Sequence, residues 1–153
     1  MIMKTEDIEQ QLNKFKTAGK LIAVGNDIVH LPSFVLSLTP QLIRRAYTAN
    51  ELAYCQAFEN ATLRYASTWA AKEAVYKSVK QVYPSLKLWW HDIEITRPEP
   101  QGKPSVNINK LNNKLEFSIT ITHDGDYVWA LAICMHDGES ETGSNSTDML
   151  STA

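Results

Sequence analysis

The sequence predicts an α+β domain in which an antiparallel sheet packs against one long helix. Residues 61–82 contain no glycine or proline and are rich in alanine and lysine, which are strong helix formers. After residue 88 the pattern changes to short segments of alternating apolar residues, which favours β-strands. A short turn separates the last two segments, and this spacing indicates a hairpin and therefore antiparallel pairing.

Composition places the chain among globular proteins and excludes several classes of function. The 153 residues are 44% apolar, which suits one domain with a sizeable core. The net charge of −2 gives no basic field that would attract nucleic acid. No apolar run approaches transmembrane length, and Cys55 and Cys134 lie far apart without a CxxC pair. We therefore expect a cytoplasmic protein with two buried thiols, no membrane contact and no nucleic-acid partner.

Three parts of the chain are distinguished by composition. Thr5 can cap a helix within residues 1–20, and the apolar stripe of that helix would hold it on the domain surface. A globular domain then spans residues 21–136. Residues 137–153 are mainly glycine, serine, threonine and acidic residues, a composition typical of a disordered tail.

The first predicted strand, Leu21–Val24, is a short apolar run. Gly25-Asn26-Asp27 follows it, and this combination favours a turn that stops the strand. A buried strand that ends in this way can present the Asp27 carboxylate at the edge of a sheet. A plain turn without function is the alternative for the same residues.

Short helices are expected over residues 31–57, where two prolines act as helix breakers or first-turn residues. Thr48 and Glu51 have the spacing of a capping box, which predicts the start of one of these helices. Arg44 and Arg45 come just before it. On their own, two adjacent arginines most often belong to a solvated surface.

The long helix carries small residues on one side and charged residues on an adjacent side. At about 100° per residue, Ala70, Ala74 and Ser78 share a side, so another backbone can approach closely. Glu73 and Lys77 are four residues apart on the adjacent side. Spacing alone favours an ordinary exposed ion pair, which contributes about 0.2–0.5 kcal/mol to stability.

Four segments in the second half have strand character. The pattern is clearest at Leu115–Thr122, where every second residue is apolar. The turn at His123–Asp126 then connects this segment to the last strand. The predicted strands are Leu88–Ile95, Ser105–Ile108, Leu115–Thr122 and Tyr127–Cys134, with a polar loop or short helical turn over residues 110–114.

Six motifs occur in a characteristic order along the chain. They are Gly25-Asn26-Asp27-Ile28-Val29, Arg45 to Leu52 with the pattern Arg-x-x-Thr-x-x-Glu-Leu, Trp69 to Lys77 with the pattern Trp-x-x-Lys-Glu-Ala-x-x-Lys, Asp92 to Ile95, Gly102-Lys103-Pro104, and Thr120 to His123. Together they resemble the 4'-phosphopantetheinyl transferases, specifically the short holo-acyl-carrier-protein synthase type. The resemblance covers roughly residues 21–134.

The resemblance implies a reaction and a fold. The 4'-phosphopantetheine arm of coenzyme A moves to a serine hydroxyl of an apo acyl carrier protein, and adenosine 3',5'-bisphosphate is released. The fold is the single-unit form of the 4'-phosphopantetheinyl transferase fold, which trimerises with coenzyme A bound between neighbours. Within the sequence, only exposed-looking aromatic residues such as Trp89, Trp90 and Trp129 support a homotrimer.

The resemblance also implies roles for individual residues. Asp27 and Glu73 match carboxylates that bind Mg²⁺, a cation that prefers oxygen ligands and retains water. Glu73, directly or through water, can take the serine proton, and Lys77 can neutralise or protonate the leaving phosphate. The residues expected to bind coenzyme A are Lys72, at a phosphate, Lys103 and His123. By itself, a lone histidine in a turn is more often structural.

Arg44 and Arg45 stand where short members of this family place arginines that bind the carrier protein. Carrier proteins of the family present an acidic helix beside their serine, so a net-negative enzyme needs a local basic patch to dock them. The alternative is a solvated pair without a partner.

Four positions depart from the family pattern. Asn26 replaces an apolar residue, and His30 stands where an acidic residue is common. Val29 is not acidic, so the third protein carboxylate of the longer relatives is absent here, and water would fill that position. Thr68 stands where the short enzymes often carry arginine, and we expect one phosphate contact to be lost or moved.

Two other functions remain open on the sequence alone. A Mg²⁺-dependent nuclease could use Asp27, Glu73 and a lysine, but no Glu-x-Lys spacing is present and the net charge is negative. The other is a module that binds coenzyme A or a carrier protein and has lost catalysis, because the pattern near Asp27 departs from the family. Neither would modify an apo carrier protein.

Overall fold

The structure is a computed structural model and describes residues 21–98, 102–111 and 114–137. The helix predicted within residues 1–20 lies outside these ranges, as does the tail predicted over 137–153 apart from Asp137. The strands are β1 Leu21–His30, β2 Ile93–Thr96, β3 Ser105–Ile108, β4 Glu116–Asp124 and β5 Tyr127–His136. The helices are α1 Leu31–Ser37, α2 Pro40–Ala46, α3 Ala49–Gln56 and α4 Ala61–Val82.

The strands form two antiparallel sheets. β5 lies between β1 and β4 in a three-stranded sheet, and β2 pairs with β3 separately. Helix α4 packs across β1 and β5 and buries Ala66, Ala70, Ala71 and Ala74 in the core. The predicted α+β architecture, an antiparallel sheet against one long helix, is confirmed. In the described part of the chain, no helix combines the length and apolarity that a bilayer crossing requires.

Gly25 is where β1 comes closest to α4. A Cβ atom at this position would lie 2.0 Å from the backbone oxygen of Ala74 and 2.7 Å from the backbone nitrogen of Ser78. The small-residue side of the helix therefore meets another backbone, as predicted. The prediction that Gly25-Asn26-Asp27 stops the strand is wrong, because β1 continues to His30 and pairs with β5 along its whole length.

Most predicted elements are found at or near their predicted positions. Helix α4 has the predicted bounds, and Thr48 and Glu51 form the predicted capping box at the start of α3. β4 and β5 form the predicted hairpin, and Gly125 between them has φ of +51°, a conformation that favours glycine. The strand predicted over Leu88–Ile95 is wrong in its first half, because a 3₁₀ turn occupies Trp90–Asp92.

The face of the three-stranded sheet that points away from α4 carries exposed apolar side chains. We call this the outer sheet face. Alternate residues of β1 contribute to it, and their partners on β5 continue the apolar surface across the sheet. The cross-strand pairs are Ile22 with Met135, Val24 with Ile133, Asn26 with Leu131, and Ile28 with Trp129.

Candidate active site

Asp27, Glu73 and Lys77 meet where β1 runs along α4. The Lys77 ammonium donates to Asp27 Oδ1 at 2.7 Å and to the Asn26 carbonyl at 3.0 Å. Glu73 Oε2 lies 4.0 Å from the same ammonium. The structure thus brings together the three residues that the sequence assigned to metal binding and catalysis, and the close packing at Gly25 sets the distance between their two elements.

The Glu73 carboxyl has unusual acid–base properties. Partial burial, together with hydrogen bonding and charge repulsion from Asp27, raises its pKa to about 7. Lys77 opposes this effect only in part. A carboxyl that titrates near neutral pH is suited to accept a proton in a reaction that runs near pH 7.

Two carboxylates placed side by side also fit a magnesium ion. Among the described residues, no group of three or more histidine, cysteine or acidic side chains is placed to hold a metal ion. Mg²⁺ commonly uses one or two protein carboxylates and fills its other positions with water and substrate phosphate oxygens. Asp27 and Glu73, whose carboxyl groups are close enough for Asp27 to raise the pKa of Glu73, are therefore the residues that would hold the ion.

A groove of about 420 Å³ lies on another part of the surface. It brings together Lys103 and His123, which the resemblance assigned to coenzyme A binding. It is formed by segments that are distant in sequence. The lining residues are Tyr54 of α3, Arg64 and Ser67 of α4, Arg97 after β2, Gly102 to Pro104, and Ile119 to Ile121 with His123 of β4. Neither Asp27 nor Glu73 lines this groove.

Two arginines in the groove were missed by the sequence analysis. Arg97 donates to Thr68 Oγ1 at 3.3 Å, and its guanidinium lies 4.4 Å from the centre of the Tyr54 ring. Arg64 lies 4.1 Å from the centre of the Phe58 ring. Residue 68 is therefore a threonine where the short enzymes often carry arginine, but the guanidinium of Arg97 lies next to its side chain. No motif marks these arginines, because segments from three regions place them together.

Lys72 lies in a different environment from the one the sequence suggested. Its side chain is fully buried, and its ammonium lies 2.5 Å from Glu51 Oε2, also fully buried. Burial lowers the pKa of Lys72, while Glu51 favours the charged form. A phosphate cannot reach this ammonium in the structure, so we correct the expected coenzyme A contact to a structural pairing with Glu51.

Arg44 and Arg45 lie in the last turn of α2, and both are exposed. Adjacent helical residues point in different directions, so the two side chains do not form a single clamp. The Arg44 carbonyl accepts a hydrogen bond from His91 Nε2 at 2.7 Å, which fixes this end of the helix to the 3₁₀ turn before β2.

The remaining departures from the family pattern have structural explanations. Val29 is buried, so its position faces the core rather than a metal site. His30 ends β1, with its Nδ1 2.8 Å from Ser33 Oγ and its ring beside Tyr127. Asn26 contributes its backbone carbonyl to Lys77, while its side chain lies on the outer sheet face.

Comparison with known proteins confirms the family. A family model described as the 4'-phosphopantetheinyl transferase superfamily matches residues 23–132. The chain therefore belongs to the 4'-phosphopantetheinyl transferase superfamily. It is 32% identical over 119 residues to a holo-[acyl-carrier-protein] synthase of Protochlamydia amoebophila, an alignment covering 73% of this chain and 96% of the relative.

Two further proteins support the same subgroup. A holo-[acyl-carrier-protein] synthase of Koribacter versatilis is 36% identical over 89 residues, which cover 56% of this chain and 70% of the relative. The ACPS–CoA complex of Chronobacterium ammoniagenes superposes with a TM-score of 0.64 at 25% identity, covering 74% of this chain and 96% of that one. The short holo-acyl-carrier-protein synthase type suggested by the motifs is confirmed.

Proposed function

We propose that this protein transfers the 4'-phosphopantetheine group of coenzyme A to a serine of an apo acyl carrier protein and releases adenosine 3',5'-bisphosphate. The observation that carries the proposal is the convergence of Asp27, Glu73 and Lys77 at one point between β1 and α4. The similarity to holo-[acyl-carrier-protein] synthases, one of them solved as a complex with CoA, supports these substrates. The acceptor is a carrier protein either of fatty acid biosynthesis or of a dedicated secondary pathway, and a panel of apo carriers distinguishes the two.

The chemistry is a displacement at phosphorus. The serine oxygen attacks the pyrophosphate phosphorus that bears the pantetheine arm, and the bond from that phosphorus to the bridging oxygen breaks. Glu73 accepts the serine proton, directly or through water, which its raised pKa allows. Lys77 has three N–H donors, and its contacts to Asn26 and Asp27 use two, so one can meet the leaving phosphate.

Asp27 and Glu73 would hold Mg²⁺ at this site. When bound, the ion neutralises the pyrophosphate charge that builds up during transfer. Lys77 keeps the Asp27 carboxylate oriented toward α4 and adds a second positive charge beside the leaving group. Val29 supplies no third carboxylate, so water would fill the position that such a carboxylate would take.

The outer sheet face supports assembly as a homotrimer. Ile28 is 64% exposed and Trp129 48% exposed, and both lie on the mainly apolar outer sheet face. Large exposed patches of this kind are usually covered by another protein surface. A second and third copy of this chain are the occupants we propose. Trp90 does not contribute, because it packs between Trp69 and Tyr76 within its own chain.

The carrier protein docks at Arg44 and Arg45 in this proposal. Both side chains are exposed on α2, and no carboxylate among the described residues lies within ion-pair distance of either. An acidic helix beside the acceptor serine would complement them.

The two free, buried cysteines fit the reducing conditions of the cytoplasm, where we place the protein.

The test is incubation of the full-length protein with coenzyme A, Mg²⁺ and a panel of apo carrier proteins, followed by intact mass measurement of each carrier. We expect a carrier to gain the mass of one phosphopantetheine group and adenosine 3',5'-bisphosphate to appear in equal amount. A binding module that has lost catalysis, or a nuclease, would leave every carrier unmodified, and that result would refute the proposal.

A further inference from the structure

Trp89 exposes a large apolar side chain to solvent. Its exposed fraction is 70%, whereas tryptophan side chains are usually well buried. The residue lies just before the 3₁₀ turn at Trp90–Asp92 and not on the outer sheet face, so assembly through that face leaves it uncovered. Its backbone N–H donates to Asp92 Oδ2 at 2.6 Å, and Lys110 pairs with the same oxygen at 2.7 Å. These contacts hold the backbone that carries the exposed ring.

Trp89 forms part of a second surface groove of about 420 Å³, which we call the Trp89 groove. Tyr76 and Lys80 of α4 line one side of it, and residues 85–89 line the other. Most of these side chains are apolar or aromatic, and none of the described lining residues is acidic. The Lys80 ammonium donates to the Leu86 carbonyl at 3.0 Å, which fixes the segment against α4. Such a groove suits an apolar side chain that is flanked by carboxylates.

The Trp89 groove lies beside Glu73. Trp69 and Tyr76 are surface neighbours of Glu73 on α4, four residues before it and three after it. The centre of the Trp90 ring lies 4.7 Å from that of Trp69 and 5.2 Å from that of Tyr76, so the segment that carries Trp89 runs along α4 next to Glu73. Strand β1 occupies the other side of this carboxyl. A protein that presents a serine to Glu73 therefore covers the surface on the groove side.

The arginine end of α2 lies next to the same segment. His91, two residues after Trp89, donates from Nε2 to the Arg44 carbonyl at 2.7 Å. Arg44, Arg45 and Lys87 are all exposed. The Trp89 groove therefore lies next to the cations at which we dock the carrier protein, and one partner surface can meet both.

We propose that the Trp89 groove is the apolar docking site for the apo carrier protein, which inserts an apolar side chain beside Trp89 from the surface around its acceptor serine. The identity of this partner rests on the proposed function. Buried aromatic contacts near the centre of an interface contribute much of the binding energy and slow dissociation, whereas charges at the rim mainly speed association. Trp89 therefore sets how long the carrier remains bound, while Arg44 and Arg45 set how fast it arrives.

Docking can be measured without transfer by using carrier proteins whose acceptor serine is replaced by alanine. A panel of these carriers is titrated into the full-length protein by calorimetry. We expect wild type to bind at least one carrier, and Trp89→Ala to bind it about tenfold or more weakly. Trp89→Phe should have an intermediate affinity, because it keeps an aromatic ring. The salt dependence of carrier binding and the affinity for coenzyme A should not change, because Trp89 is uncharged and does not line the groove that contains Lys103 and His123.

Tyr127→Ala is the matched control, because Tyr127 is a 52% exposed aromatic residue that does not line the Trp89 groove. This variant should bind the carrier as wild type does. Thermal unfolding verifies that every variant is folded. A folded Trp89→Ala protein with unchanged carrier affinity would overturn the docking site.

Two other occupants of the Trp89 groove would give different results. If coenzyme A fills it, Trp89→Ala loses affinity for coenzyme A and keeps its affinity for the carrier. If a second copy of this chain fills it, the mass of Trp89→Ala by light scattering falls below that of wild type. Either result would overturn the proposal, as would a wild-type protein that binds no carrier. A protein that binds carriers through Trp89 but modifies none in the mass assay would refute the proposed transfer and leave the docking site standing.

Discussion

Lys77 Nζ lies 2.7 Å from Asp27 Oδ1, although 50 residues separate the two in sequence. Its helical neighbour Glu73, four residues away, is more distant at 4.0 Å. The Glu73–Lys77 ion pair suggested by helix spacing is thus longer than the Asp27–Lys77 ion pair. The shorter pair joins helix α4 to strand β1. This cross-element contact turns an ordinary pair of helix charges into a site with two carboxylates and a cation.

The raised pKa of Glu73 predicts a pH dependence of stability in protein free of divalent metal. The pKa is about 7 in the folded state and 4.5 in an unperturbed carboxyl. The folded state therefore binds more protons between these values, so this group's contribution to stability falls as pH rises. We expect Glu73→Gln to melt at a higher temperature than wild type at pH 8 in EDTA, and to lose most of this advantage at pH 5.

Glu59→Gln is the control for that comparison, because Glu59 is exposed and lies outside the site. It should not reproduce the pH-dependent difference. Equal melting temperatures of wild type and Glu73→Gln at pH 8 would show that Glu73 is not held against Asp27 as described.

Replacing Gly25 by alanine should separate β1 from α4. The added Cβ would lie 2.0 Å from a backbone oxygen of the helix, and backbone cannot move aside as a flexible side chain does. We expect the free energy of unfolding, measured by urea denaturation, to fall by about 1–3 kcal/mol. Transfer activity should fall as well, because Asp27 moves away from Glu73.

Gly125→Ala provides the comparison, since nothing lies within 4 Å of a Cβ there and only its positive φ is unfavourable. We expect this substitution to lower the free energy of unfolding by about 1–2 kcal/mol. A Gly25→Ala protein as stable and active as wild type would contradict the close contact.

The long helix and the order of the strands could be predicted because their signals are local. These signals can each be read within a few residues: the absence of glycine and proline, small residues at helical spacing, and alternating apolar residues in strands. Gly25 was misinterpreted because glycine before Asn-Asp signals a turn locally, while its actual role depends on its contact with Ala74 and Ser78, 49 and 53 positions later. Lys72 was misassigned for a similar reason, since its partner Glu51 lies 21 positions earlier.

The Glu51–Lys72 pair should behave as a coupled unit. Glu51 also accepts hydrogen bonds from the backbone of Ile95 at 2.8 Å and of Thr48 at 2.9 Å, so it ties α3 to β2 and α4. Lys72→Met leaves a buried carboxylate without its cation, and we expect it to cost about 3–5 kcal/mol in the free energy of unfolding. Adding Glu51→Gln should recover part of that loss.

A double-mutant cycle by urea denaturation measures the coupling, which should be about 0.5–3 kcal/mol. Additive effects of the two substitutions would mean that the ammonium and the carboxylate do not depend on each other.

A charge on the outer sheet face should prevent assembly. Ile28→Lys places an ammonium beside Trp129 in the apolar surface, and burying it between subunits would be unfavourable. We expect light scattering to give three times the chain mass for wild type and a lower mass for this variant. Leu36→Lys changes an 85% exposed residue of α1 outside that face and should leave the mass unchanged. Wild-type protein that is active as a monomer would refute the trimer.

The most direct test of the active site is the rate of carrier modification by Asp27→Asn and Glu73→Gln across a range of Mg²⁺ concentrations. Both substitutions are nearly isosteric, so the variants should remain folded while each loses a metal ligand, and Glu73→Gln also loses the proton acceptor. We predict rates lower by about 10²–10⁴-fold for Glu73→Gln, with a similar loss for Asp27→Asn. Glu59→Gln should keep the wild-type rate. Transfer at the wild-type rate by either site variant under subsaturating Mg²⁺ would contradict the account.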